Sequence, residues 1–214
     1  MGQLALYPNP DRLFKEFGKD AELLLDHAWG KESCTMADIK AYRSKSHSSG
    51  NGQVLACNYT FDEAKIIVRE MADATALDLV DKQLVASAVS LGIRYEKVDG
   101  VVPTQGGTAR FPAATNSAHI IAETAVKLFC QIADRNRNVR GLNVVALDTA
   151  PETARQTSLF DALVCNPEEQ QRQRTILEIK SKFGRNALVK GTDLLPKATQ
   201  RERNEQIGGH RSGA

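Results

Sequence analysis

The run Val85 to Tyr95, VASAVSLGIRY, constrains this chain more than any other stretch. Val85, Val89, Leu91, Ile93 and Tyr95 fall on one side, and Ala86, Ala88, Ser90, Gly92 and Arg94 on the other. A period of two belongs to a strand with one face buried. The second face is unusual. A face that meets only water is ordinarily rich in Lys, Glu and Thr, whereas this one carries four small residues and an arginine. Such a surface lets a backbone or a phosphate come close.

The surrounding segments supply the rest of a sheet. Gln53 to Cys57 is strand-like. Thr60 followed by Glu63 is a capping box, and Ala64, Ile67, Met71 and Ala74 share one face of the helix that follows, to about Val80. A Gly-rich turn leads to a short strand, Thr108 to Phe111. A second helix starts near Ser117 and buries Ile121, Ala125, Leu128 and Ile132. The last strand is Val139 to Leu147. The order β-α-β-β-α-β is a split βαβ layout. The predicted fold class is therefore α+β, a four-stranded sheet with both helices on one face and the other face open.

Outside this block the chain reads as helical. Asp11 to Trp29 repeats apolar residues at helical spacing, interrupted at Gly18 and ended by Gly30. Lys40 to Gly52, KAYRSKSHSSGNG, is the best linker and domain boundary. Beyond Asp148, Asn166 is placed to cap a helix with Pro167 at its first position and Glu168 and Glu169 in its first turn. That helix runs to about Phe183, where Gly184 stops it.

Composition narrows the class. With 42% hydrophobic residues the 214-residue chain can build a core, and its net charge is only +2. The charge is uneven: from Gln170 to Ala214, ten Lys/Arg against four Asp/Glu give +6, a tail that is either solvated or near phosphate. Cys34, Cys57, Cys130 and Cys165 show no zinc spacing and read as free thiols. His27, His47, His119 and His210 show no ligand spacing. No apolar run approaches the ~20 residues of a membrane span, so no membrane partner is expected. MGQLALYPNP lacks the features of a signal peptide and reads as part of a helix without a cap, as if this were the C-terminal piece of a longer protein.

Taken together, SHSSGNGQVL, the β-α-β-β-α-β order, GGTARFP, QTSLF and RERNEQIGGH resemble the Y-family translesion DNA polymerases, and among them the bacterial UmuC/ImpB/MucB/SamB-like enzymes. The resemblance covers essentially the whole chain. It implies the end of a helical thumb over residues 1–43, with Tyr7 and Trp29 in its core. A little-finger DNA-binding domain follows over 44–150, then a linker with a clamp-binding motif over 151–166 and a basic C-terminal tail over 167–214.

The resemblance also implies partners and sites. Arg94 and Arg110 would contact the phosphates of duplex primer–template DNA, the alternative being a pair of solvated arginines. Ser48, Ser49, Gly50, Asn51 and Thr108 would offer small side chains and backbone N–H groups to the same backbone, the alternative for 48–51 being a flexible linker. QTSLF matches the Gln-x-x-Leu-Phe pattern that docks bacterial polymerases on the sliding clamp. There Gln156, with Ser158 beside it, would meet the rim, and Leu159 and Phe160 would fill an apolar pocket. The alternative is that both pack back on the little finger.

One departure bears on enzymatic activity. The polymerase chemistry of this family needs carboxylates that hold two Mg²⁺ ions in a palm domain. The only Asp-Glu pair here, Asp62-Glu63, sits where a helix cap needs it. No cofactor is expected in this chain, and by itself it should be inactive. The parent would be a cytoplasmic, nucleoid-associated enzyme of damage bypass and the SOS response. A stand-alone RRM-like module is the other reading, and it would need stacking aromatics on the central strands. The outward residues of Val85–Tyr95 offer none.

Overall fold

In the computed structural model the described residues are 2–32, 34–42, 47–152, 167–207 and 210–211. They divide into two compact units, Met1–Lys45 and Ser46–Ala214.

The first unit holds four short helices, α1 (Gly2–Ala5), α2 (Pro10–Phe17), α3 (Asp20–Ala28) and α4 (Met36–Ala41). Gly18 and Gly30 have positive φ, 57° and 70°, which is why they end α2 and α3. Leu13 and Ala21 are buried within the unit. Trp29, expected in its core, is 58% exposed. It stands at the C-cap of α3, past the last helical residue, where the helical spacing that buries its neighbours no longer applies.

The second unit is built on a sheet and two helices. Its elements are β1 (Ser48–Tyr59), α5 (Phe61–Asp81), β2 (Leu84–Tyr95), β3 (Thr104–Thr115), α6 (Ala118–Ile132), β4 (Val139–Leu147) and the two-residue β5 (Ala150–Pro151). The strand order is β1-β4-β2-β3, with β5 pairing the start of β2, and every pairing is antiparallel. This is the expected α+β architecture. Thr60 caps α5, its hydroxyl accepting from the Glu63 amide while Glu63 accepts from the Thr60 amide at 2.9 Å. Glu63 is thus a capping residue, as its position in the sequence suggested. Ser117 caps α6 more simply, its hydroxyl accepting from the Ile120 amide at 3.3 Å.

The core lies between the sheet and α5 and α6. Leu55, Val89, Leu91, Ile93, Leu142 and Val144 meet Ile67, Val68, Met71, Ile121, Ala125 and Phe129, and the Phe61 and Phe129 rings stand 5.0 Å apart. Apolar burial of this kind contributes about 25 cal/mol per Å² and holds the sheet flat against the helices.

Three sequence expectations change here. β1 begins at Ser48, inside what reads as linker, and β3 runs from Thr104 to Thr115 rather than only Thr108 to Phe111. Both errors come from glycines. A Cβ on Gly50 would lie 2.4 Å from the Val144 carbonyl oxygen, and one on Gly106 would lie 3.1 Å from that of Leu91. These are glycines of close strand approach rather than of turns. Third, Ala86 belongs to the core with Val89. The register of β2 on β3 shifts between Ala86 and Ala88, and that irregularity reverses the phase of the alternation.

The basic tail is a third layer. α7 (Pro167–Phe183) packs on α5 and ends at Gly184, φ 97°. Glu169 accepts hydrogen bonds from the Ser117 hydroxyl and the His119 amide, so α7 helps to cap α6. A strap follows, with a 3-10 turn at Gly191–Leu194 and α8 (Gln200–Asn204). Glu70 of α5, 1% exposed, accepts from the Thr199 and Gln200 amides at 3.0 and 3.4 Å. Asp73 pairs with Lys190 at 2.7 Å. Among the described residues no helix is long and apolar enough to cross a membrane.

Candidate nucleic-acid interface

The pairing registers define the uncovered face of the sheet row by row. Ser48, Leu147, Ala88 and Arg110 form the first row, and Gly50, Val145, Ser90 and Thr108 the second. Gly52, Asn143, Gly92 and Gly106 form the third, and Val54, Gly141, Arg94 and Thr104 the fourth. Of these sixteen positions five are glycine, none is acidic and none is aromatic. With strands about 4.8 Å apart and side chains repeating every two residues, the rows cover roughly 14 by 20 Å.

The two arginines stand at opposite ends. Arg94 is exposed in the fourth row, and its side chain lies over Gly141, where a Cβ would meet the Arg94 Cβ at 3.5 Å. Arg110 sits on the edge strand in the first row, its side chain 77% exposed, and its guanidinium approaches Asp148 at 3.5 Å. An ion pair so open to water is weak, so Arg110 can exchange it for another anion. Between the arginines the glycines leave backbone uncovered, and Thr108, Thr104 and Asn143 are exposed. Asn143 is a residue that sequence reasoning missed. The alternation of Val139–Leu147, used there only to place a strand, would have turned it outward between Leu142 and Val144.

The quartet Ser48, Ser49, Gly50 and Asn51 is divided by the pleat. Ser48 and Gly50 lie in the uncovered rows. Ser49 donates instead to Asp78 of α5. Asn51 donates to Thr75 at 2.9 Å and accepts from Arg203 at 3.1 Å. The side chains of Ser49 and Asn51 therefore face the helix layer and the strap, which corrects their assignment to the open face. A period of two forces this: four consecutive strand residues cannot share one side. Gln156, Ser158, Leu159 and Phe160 lie outside the described residues. Among the described residues no group of three or more His, Cys, Asp or Glu could hold a metal ion. Cys34, Cys57 and Cys130 are free thiols.

Comparison with known proteins places these features in a family. The family model described as impB/mucB/samB family C-terminal domain matches residues 46–159, which takes in the whole sheet and both core helices. A curated relative, "Putative UV-damage repair protein UvrX" of Bacillus subtilis (strain 168), is 27% identical over 218 residues. The match covers 99% of this chain and 50% of the relative, so the chain spans about half the relative's length. A solved structure, the Y-family DNA polymerase chimera Dbh-Dpo4(243-245)-Dbh, matches over 69% of this chain and 40% of its own, at 20% identity and a TM-score of 0.37.

Proposed function

Because this chain belongs to the impB/mucB/samB C-terminal domain family, the group of UmuC-like Y-family polymerases that its motifs resemble, we propose that its uncovered sheet face grips duplex primer–template DNA for a translesion DNA polymerase. The observation that carries this reading is the make-up of the sixteen positions: no carboxylate to repel a phosphate, five glycines that leave backbone accessible, and an arginine at each end. Contacts of this type fix the position of a duplex without reading its sequence. Tolerance of sequence and of damage is what bypass synthesis needs from its DNA grip, and the repair named for the Bacillus relative agrees with it. The carboxylates that bind Mg²⁺ would belong to a palm domain outside these 214 residues, so that this chain alone does not extend a primer. A role in the cytoplasm, on the nucleoid and within the SOS response follows from the same reading.

The second element of the proposal is a tether. Gln156, Ser158, Leu159 and Phe160 would dock on the bacterial sliding clamp, supported by the Gln-x-x-Leu-Phe spacing and its place just after the sheet domain. Two apolar side chains buried on a partner are worth roughly 1.5–3 kcal/mol each before ordering costs, which suits an exchangeable contact. Leu159→Ala with Phe160→Ala should abolish clamp binding and move folding stability by no more than about 0.5 kcal/mol. Clamp titration and thermal melts on one sample decide it. Retained clamp binding with a large loss of stability would place both residues in the core instead.

The direct test of the grip is fluorescence anisotropy with duplexes of unrelated sequence. The proposal predicts equal affinities, and a strong preference for one sequence contradicts it. An RRM-like module that stacks single-stranded bases is disfavoured, because the sixteen positions hold no aromatic ring.

A further inference from the structure

A cavity of about 430 Å³ opens on the helix layer, between α5, α6, α7 and the strap. No part of the proposed DNA grip lines it. α7 contributes Arg172, Ile176 and Lys180, four residues apart and so one above the other on a single stripe of the helix. The stripe reads cation, apolar residue, cation, and at 1.5 Å per residue its ends lie about 12 Å apart.

The apolar part is open to a ligand. Ile176 is half-buried, as are Ala74 and Leu77, which stand one turn apart on the α5 wall, and Leu188 of the strap is 37% exposed. Covering these side chains removes apolar surface from water.

The charges that a ligand meets there are mainly positive. Four carboxylates border the cavity, but three show little surface and all four are engaged. Glu70 is 1% exposed and accepts from the Thr199 and Gln200 amides. Asp73 and Asp193, each 9% exposed, meet the Lys190 ammonium and the Lys190 amide. Glu169 accepts from Ser117 and the His119 amide. By contrast Arg69 and Arg172 are exposed and Lys180 is half-buried. Among the described residues none of these three cations forms an ion pair with a carboxylate. Arg69 acts on Asp73 only at longer range. Burial holds the Lys180 ammonium below the usual lysine value, while Asp193 at longer range works the other way. A cation in that position gains from a carboxylate brought against it.

We propose that this groove docks an extended acidic and apolar peptide segment of a partner protein. One carboxylate of the segment meets Arg172 and a second meets Lys180, while an apolar side chain between them covers Ile176 and Leu77. At about 3.3 Å per residue an extended chain spans the roughly 12 Å in four residues, and alternate side chains share one side. The segment therefore carries acids at its first and fifth positions and a large apolar residue at its third. The spacing of the charges decides the class of partner. A nucleic-acid strand, charged at every residue, would set phosphates against the apolar wall, and a small anion would leave that wall uncovered.

The test is fluorescence anisotropy of the whole chain with the labelled peptide Ser-Asp-Thr-Leu-Thr-Asp-Ser. Its counterparts with Asn for both Asp, or with Ser for Leu, should each bind about tenfold more weakly, the scale of one charge-assisted hydrogen bond. Arg172→Gln and Lys180→Gln should each cost a similar factor, with melting temperature unchanged. Lys182→Gln removes a charge from α7 without touching the cavity and should leave the affinity as it was. The comparison between peptides holds for the parent chain, so it decides even where a variant does not fold. No binding of the acidic peptide overturns the proposal, as does equal binding of the three peptides. An equal loss in Lys182→Gln overturns it by reducing the contact to net charge. Displacement of the peptide by an equal concentration of a heptanucleotide overturns it in favour of nucleic acid.

Discussion

The same four strands present two faces built for different neighbours. On the helix side Leu55, Val89, Leu91, Ile93, Leu142 and Val144 are buried at 3% exposure or less. On the other side the rows hold glycine, serine, threonine, asparagine and two arginines at twelve positions, and Val54, Ala88, Val145 and Leu147 at the other four. From Val89 to Tyr95 and from Leu142 to Ala146 one residue separates a core position from a position on the uncovered face, as at Ile93 and Arg94, or Leu142 and Asn143. The difference teaches that the fold's stability and its proposed work are carried by alternate residues of the same strands. Substitutions of side chains there should therefore sort by parity, with stability changes on one side and binding changes on the other, except at positions such as Gly50 that a neighbouring strand crowds.

The largest expected effect breaks both faces together. Phe129, fully buried with its ring tilted against that of Phe61, should cost about 3–5 kcal/mol as Phe129→Ala in urea unfolding. Loss of the strap comes next. Glu70→Ala removes the acceptor for two backbone amides and should cost about 1–3 kcal/mol. Protease should then cut the strap faster than it cuts α5. Two glycines of one strand sharpen the comparison further. A Cβ at Gly50 meets Val144 backbone at 2.4 Å, whereas at Gly52 the nearest atom is 3.9 Å away. Gly50→Val should cost about 1–3 kcal/mol and Gly52→Ala should stay within about 0.5 kcal/mol, although both residues lie on the open face.

Much of this was legible from periodicity. The bounds of β4 and α7, the cap at Thr60, the start of α6 near Ser117 and the interleaved order of strands and helices follow from local signals, and the structure has them where the sequence puts them. What was not legible depends on partners far along the chain. Gly50 and Gly106 read as linker and turn because a lone sequence cannot show the neighbouring strand that excludes a side chain. Ala86 changes side because of a register shift against β3, which the β2 sequence does not contain. Glu70 looks like an ordinary surface acid of α5 until residues 199 and 200 come to lie on it. That Arg94 lies on the uncovered face was legible, because it falls in the outward phase of an alternating run. Asn143, flanked by hydrophobic residues in the same way, was overlooked only because β4 was read for its core side.

Phosphate binding by the uncovered face through Arg94 and Arg110, as proposed, is tested most directly by the salt dependence of duplex binding. Removing one cationic partner of a phosphate lowers the slope of log affinity against log salt by about 0.9. Arg94→Ala with Arg110→Ala should therefore flatten the slope by about 2 and weaken binding equally for every sequence, with melting temperature unchanged. A double variant that is folded and binds DNA with the slope and affinity of the parent chain would contradict the account.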